Sequence, residues 1–269
     1  MIGISLPLAM LSGLAPLDPA HRALLSAYDN DPARMLGSLH TQGVGSVEFE
    51  IRDRDPDLAA IGRAARRCAD AGLRITIHGE LRYDDTPERF FKPYEALPAQ
   101  DGYTITLHGL ADMGATVAAL KTFAAYADER LPWLYIALEN NRRRPGGGAC
   151  RSCAQAAQAI EAVDHPRVNA CWDFGHFYSN VMNSFEAPQP PEDFLSRAAH
   201  THIHGVTEGR THFPPDGNNL PLEHYCALLA ERGYRGVYNL ELGFGRFFSC
   251  IEPRKALEAS ISLLKEVYA

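Results

Sequence analysis

Short apolar runs alternate with amphipathic stretches from one end of the chain to the other. Runs near 2–6, 45–51, 73–78, 103–108, 134–139, 168–173, 201–204 and 237–242 have the length and side-chain content of strands. Helical patterns lie between them. One opens at Asp31-Pro32 and stops at Gly43, and another opens at Asp55-Pro56 and ends at Gly72. Others fall around 112–130, 150–163, 191–199 and 221–232, with a last one from Glu252. Residues 80–100 are the least regular and read equally as a lid or a short helix. Strands alternating with helices predict a parallel sheet, and eight such units without a linker predict closure. The expected fold is α/β, one (β/α)8 TIM-barrel domain over 1–269, with its active site at the C-terminal ends of the strands. An open doubly wound sheet is the runner-up, but no Gly-x-Gly-x-x-Gly follows the first strand.

Composition changes this picture little. The 269 residues suit one barrel of about 250, and 46% hydrophobic with 22% charged residues is ordinary for a soluble globular protein. A net charge of −7 argues against a surface built to neutralise duplex phosphates, so no nucleic-acid partner is expected. The uncharged opening MIGISLPLAMLSGLAPL lacks the basic start of a signal peptide and reads better as a first strand. No run approaches the roughly 18 apolar residues of a membrane span, and a cytoplasmic protein is expected. Six scattered cysteines suit free thiols in a reducing compartment. Cys150-Arg-Ser-Cys153 has redox or zinc spacing but no second pair, which makes structural thiols the better reading. Nothing in the pattern speaks to oligomeric state.

The chemistry concentrates at strand ends. The stretch RVNACWDFGHFYSN, residues 167–180, climbs through an apolar run to Asp173 and turns through Gly175 onto His176. Two groups that are costly to bury then meet at one point, either around a divalent cation or as a helix-capping aspartate beside a loop histidine. The last inward positions of strands three to eight repeat the theme: His78, His108, Glu139, Asp173, His204 and Glu241. Any one of them is more readily a satisfied core or capping group. Six in succession, converging on one axial point, form a site for one or more divalent metals. Histidine-rich ligation favours Zn²⁺, while the carboxylate share leaves Mn²⁺ and Fe²⁺ open. No nucleotide cofactor is expected.

With HGE, HGL, ALEN, DFGH, HIHG and LEL at successive strand ends, the chain resembles the xylose isomerase-like TIM barrels, the superfamily that also contains endonuclease IV, over nearly its whole length. The resemblance implies one metal held by Glu139, Asp173, His204 and Glu241. In the endonuclease IV branch it implies a second metal held by His78 and His108 with Glu139. A third metal there would use His176 and an Asp-x-His in the loop after strand seven. His212 matches its last residue, but Arg210 stands where the aspartate would be. A guanidinium cannot ligate, so the third metal is expected to be absent or weak, with Arg210 meeting an anionic substrate group instead.

Two chemistries follow. One is hydrolysis of a phosphoester in a small, anionic molecule, with two metals bridged by Glu139 at the barrel mouth; cobamide-remodelling phosphodiesterases are one model. The loop Arg142-Arg143-Arg144 and the glycines 146–148 after it suit an anion, although three loop arginines are as readily just solvated. The other is a one-metal sugar isomerase or 3-epimerase in which Glu139 and Glu241 serve as acid and base. The histidines ending strands three and four tilt the choice slightly towards hydrolysis. A non-catalytic binding barrel ranks last, because no member of the four-ligand set is missing. Arg142, Asn140, Glu50 and Arg210 are the candidate substrate contacts, Glu50 standing higher on strand two than Glu48. His200 and His202 lie lower in the barrel and are expected to make interior hydrogen bonds. Phe177, Tyr178, Phe213, Phe244, Phe247 and Phe248 wall the pocket or simply pack.

Overall fold

Apolar side chains on one face of each strand are what the helices cover, and the pleat then turns the alternate positions into the barrel. In the computed structural model, which describes all residues except 15, 52–55, 96, 99, 101, 145–147 and 269, the strands are β1 (Ile2–Pro7), β2 (Val44–Ile51), β3 (Arg74–Gly79), β4 (Tyr103–Leu107), β5 (Leu134–Glu139), β6 (Val168–Asp173), β7 (Ala198–Ile203), the short pair β8 (Gly205–Thr207) and β9 (Arg210–Phe213), and β10 (Val237–Leu240). Eight of them close a parallel barrel in the order β1-β10-β7-β6-β5-β4-β3-β2. The remaining two, β8 and β9, form an antiparallel hairpin above β7. This is a (β/α)8 barrel.

Val47, Phe49, Ile75, Ile77, Ile105, Leu107, Ile136, Leu138 and Trp172 are buried towards the helices. The interior-facing positions differ from the branched apolar filling usual in such barrels. Ser5, Glu48, His200, His202 and Asn239 are all buried, and they form one network. Glu48 accepts from Ser5 Oγ at 2.7 Å and Asn239 Nδ2 at 3.0 Å, and it meets His200 Nε2 at 3.0 Å and His202 Nε2 at 3.2 Å. A fully buried carboxylate is tolerable only with such partners.

Several connections are more ordered than their composition predicts. Helices at Leu8–Ser12 and Pro19–Ser26 occupy what reads as a long first loop, and Asp18 caps the second by accepting from the Ala20 and His21 amides. Residues 87–95 form a helix, which settles the choice left open for that region. Asp57, through the Ala59 amide, caps the helix Leu58–Asp70, whereas Asp55 lies outside the described residues. The hairpin turns at Glu208 (φ 51°) and Gly209 (φ 71°), two left-handed residues in a two-residue loop that matches the twist of the flanking strands. No helix among the described residues is long and apolar enough to cross a membrane.

Candidate active site

Strand ends, one cap and one hairpin assemble the centre. β5 delivers Glu139 and β6 delivers Asp173, both fully buried. Asn140 clamps these two strand ends together: its Oδ1 accepts from the Asp173 amide at 2.8 Å and its Nδ2 donates to the Asp173 carbonyl at 3.1 Å. Asn140 is therefore buried beneath the site as a positioning group and does not line the cavity. Asp173 is both a cap and a member of the cluster. Its Oδ1 accepts from the His176 amide at 2.6 Å, starting the helix Phe174–Met182, while Oδ2 lies 3.2 Å from His176 Nδ1. The two readings of this stretch hold together.

His204 follows β7 and is fully buried, with Nε2 3.1 Å from Asp173. Its ring lies against Gly175, where a Cβ would sit 2.0 Å from the ring's Cε1. His212 reaches the same place from β9 with a left-handed backbone (φ 64°), and its amide donates to His204 Nδ1 at 3.0 Å. Nitrogens of His176, His204 and His212 lie within 4.8 Å of one another, so the structure does bring together the two histidines suspected of a third metal. Arg210 is placed elsewhere. It pairs with Glu208 at 3.3 Å and lies over the Phe213 ring on the hairpin, outside the cavity.

The second group surrounds Glu139 Oε2. His108 Nε2 is 3.1 Å from it and His78 Nε2 3.5 Å, and His78 Nε2 is also 3.8 Å from Glu241 Oε1. His202, expected lower in the barrel, belongs here too. Its Nδ1 lies 3.1 Å from Glu139 Oε2 and 3.6 Å from Glu241 Oε2, while Nε2 remains on Glu48. The pairing of β6 with β7 sets His202 opposite Asp173 at the end of β6. Glu50 is half-buried on β2 opposite His78 of β3 and does not line the cavity.

A cavity of about 290 Å³ opens over these groups. His78, His108, His176, His212 and Glu241 form its floor, while Arg142, Arg144 and Arg246 stand in its wall. Arg246, on the short helix Phe244–Phe247, was not among the sequence candidates, and none of the six aromatic candidates lines the cavity. Phe177, for instance, is fully buried against Trp172 and Tyr225. Of the three loop glycines, 146 and 147 lie outside the described residues.

The protonation pattern suits cation binding. Burial alone would raise the Glu139 and Glu241 carboxyls, but the charges of His108 and His202 on the first, and of His202 and His212 on the second, hold both well below the ordinary range. Asp173 has no such surplus: burial, with Glu139 and Glu241 nearby, pushes it up to about 6. Burial lowers His176 and His204, keeping them in the neutral form that offers a lone pair. Glu139 Oε1, His176 Nδ1, His202 Nδ1 and Glu241 Oε2 are buried and make no aligned hydrogen bond, although the acids and imidazoles lie 3.1 to 3.6 Å from one another. Ligand-type atoms without aligned hydrogen bonds around one centre are what a divalent cation would satisfy, so the residues fit one.

The xylose isomerase-like TIM barrel family model matches residues 22–267. No curated protein sequence matches the chain. Among solved structures, D-psicose 3-epimerase from Clostridium cellulolyticum H10 with D-tagatose superposes with a TM-score of 0.67 at 13% identity, covering 98% of each chain. An L-ribulose 3-epimerase gives 0.67 at 17% identity, covering 99% of this chain and 93% of the other. The IolI protein with a bound zinc atom gives 0.59 at 15% identity, covering 98% and 97%. At these identities the likeness is one of fold.

Proposed function

The chain is an enzyme that belongs to the xylose isomerase-like TIM barrel family, and from that premise we propose that it is a metal-dependent isomerase or epimerase of a small polyhydroxy carbonyl compound. The observation that carries this reading is the pairing of Glu139 and Glu241. Both carboxylates are kept ionised, and both meet the same two imidazoles, His202 Nδ1 (3.1 and 3.6 Å) and His78 Nε2 (3.5 and 3.8 Å). Glu241 lines the cavity and Glu139 lies buried beneath it beside the same imidazoles, a pair that suits proton transfer between neighbouring carbons. Two of the three fold neighbours named above are sugar 3-epimerases, which supports the same reading over hydrolysis.

Glu139, Asp173, His204 and Glu241 would hold the cation, which supplies polarisation of a carbonyl and its adjacent hydroxyl. One glutamate takes the proton from the carbon beside the carbonyl, breaking the C–H bond, and the electron pair moves onto the carbonyl oxygen. The other glutamate, ionised at rest, receives a proton from the His78 or His202 imidazolium beside it, both imidazoles being raised above their ordinary value. It delivers that proton to carbon from its own side, and the first glutamate then passes its proton back to the imidazole. His78 and His202 stabilise whichever carboxylate is charged at each stage. Buried Asn140 and Gly175 hold Asp173 and His204 in place.

Phosphoester hydrolysis is the second reading, favoured by one observation. His78, His108 and Glu139 present ligand atoms within 4.8 Å of one another, enough for a further cation, and a two-cation site suits displacement at phosphorus. Metals counted per chain, with activity against a ketose panel and against bis(p-nitrophenyl) phosphate, separate the readings. About one metal per chain with ketose turnover supports the isomerase. About two with phosphodiester cleavage, or ketose turnover that survives Glu241→Gln, overturns it.

A further inference from the structure

Three guanidiniums stand together at the mouth, and among the described residues none is paired with an acid. Arg34, Arg63, Arg82, Arg167, Arg210, Arg232 and Arg254 each make an ion pair with a carboxylate. Among the described residues, none of Arg142, Arg144 and Arg246 does, although the chain carries seven more acidic than basic side chains. Among the described residues, the only carboxylates that line the cavity with them are Glu241, in the site below, and Glu80, which accepts from Arg82 Nη2 at 2.6 Å. Arg142 spends one donor on the Gly209 carbonyl at 3.1 Å, which ties the loop after β5 to the hairpin turn. Its charge is disfavoured by burial and then by Arg144 and Arg246, so the three cations repel one another where they stand.

We propose that Arg142, Arg144 and Arg246 form a phosphate subsite, and that the substrate is a phosphorylated sugar or polyol whose phosphate lies at the cavity mouth. This rests on the isomerase reading in that the reacting carbons then lie over Glu139 and Glu241. A phosphate suits the subsite better than a carboxylate does. Its three free oxygens and double charge match several planar N–H forks and offset more of their repulsion. A cation-lined wall above an acid-lined floor also orients such a molecule one way round, phosphate outward and hydroxyls inward.

The test uses the full chain as purified. Inorganic phosphate and acetate are titrated calorimetrically into the wild type and into R144Q/R246Q, two exposed arginines whose loss leaves the barrel core intact. Phosphate is expected to bind at least tenfold more tightly than acetate, and the double variant to lose about tenfold or more of that affinity, the scale of one or two charge-assisted hydrogen bonds. In parallel, ketose phosphates should show lower KM than their unphosphorylated parents, an advantage that R144Q/R246Q abolishes. Equal phosphate affinity in wild type and variant, or acetate binding as well as phosphate, overturns the subsite. Arginine-dependent phosphate binding without turnover of any ketose leaves the subsite standing and removes the isomerase reading. Turnover of neutral ketoses with no preference for their phosphates does the reverse.

Discussion

His204 rests its imidazole directly on the backbone of Gly175, so closely that a methyl group there would fall 2.0 Å from Cε1 and 2.1 Å from Nδ1. The glycine of Asp-Phe-Gly-His is therefore a space requirement set by another strand. Gly175→Ala should push the ring out of the cluster, at a stability cost of about 1–3 kcal/mol for the overpacking. The expected result is a folded barrel with substoichiometric metal and no activity. Elemental analysis beside circular dichroism checks it. Full metal content in the variant would remove His204 from the ligand set.

Cation binding must displace protons here. Asp173, raised to about 6 by burial and by Glu139 and Glu241, takes up a proton at mildly acidic pH. A ligand has to give up its proton before it binds metal, so affinity should rise as pH rises through about 6 and level off above it. Near pH 5 the dissociation constant should be about tenfold weaker than on the plateau, one proton for one pH unit. Titration of metal into chelator-treated protein at pH 5 and pH 7.5 gives the slope; a flat profile would mean that Asp173 takes no part.

Removing the cation should also cost stability. Glu139, Asp173 and Glu241 are buried together, and without an ion only imidazoles offset their repulsion. A ligand present at about a hundred times its dissociation constant stabilises by about 2.7 kcal/mol, and a drop of several degrees in Tm on EDTA treatment is expected. Re-addition of Zn²⁺ or Mn²⁺ should restore it. An unchanged Tm would argue that the imidazoles alone balance the acids.

The frame of the barrel was legible in the sequence, and the six strand-terminal groups do meet at one end of it, because strand alternation is a local pattern that the closed sheet preserves. What escaped reading depended on long-range geometry. The helix Phe174–Met182 reads as loop because its outward positions Tyr178, Val181 and Met182 are apolar while His176, Ser179 and Asn180 are buried, so no polar face marks the helical period. His202 reads as lower interior because it precedes His204 by two positions, and the cross-strand pairing that sets it opposite Asp173 is not visible from spacing alone. Arg246 gave no signal beyond its position after the eighth strand. Arg210, read as a substrate contact, lies with Glu208 and Phe213 on its own hairpin and outside the cavity, a placement set by the hairpin's fold and not by local spacing.

His108 decides between the two chemistries more cleanly than either glutamate. It contributes to the His78–His108–Glu139 group but has no contact with Asp173 or His204 among the described residues, and its side chain is 43% exposed. If hydrolysis with two cations is the true activity, His108→Ala should lower the metal count from about two to about one and cut kcat by 10²-fold or more, the scale of losing a site's second ion. If proton transfer is, the count stays at one and kcat falls only a few-fold. Metal analysis and turnover on one preparation distinguish the two outcomes.

The deepest prediction concerns Glu48, which touches no cavity yet supports His202 from below. Burial raises its carboxyl, but the charge of His202 and hydrogen bonds from His200 and His202 outweigh burial and leave it well below its ordinary 4.5. Because the folded value is the lower one, the unfolded chain binds more protons as pH falls below about 4.5. The stabilisation is thus complete above that pH and is lost on acidification. Glu48→Gln should remove the acid-sensitive part, so that the gap in urea midpoint between wild type and variant stays wide from pH 7 to about 4.5 and narrows progressively below that. At pH 7 the loss should be about 3–5 kcal/mol, the cost of breaking a buried ion pair from one side. The same substitution frees the His202 ring, whose Nδ1 sits between Glu139 and Glu241, so kcat should fall while the KM for substrate changes little. A variant that lost stability but kept full kcat would show that His202 is held by its neighbours and not by Glu48.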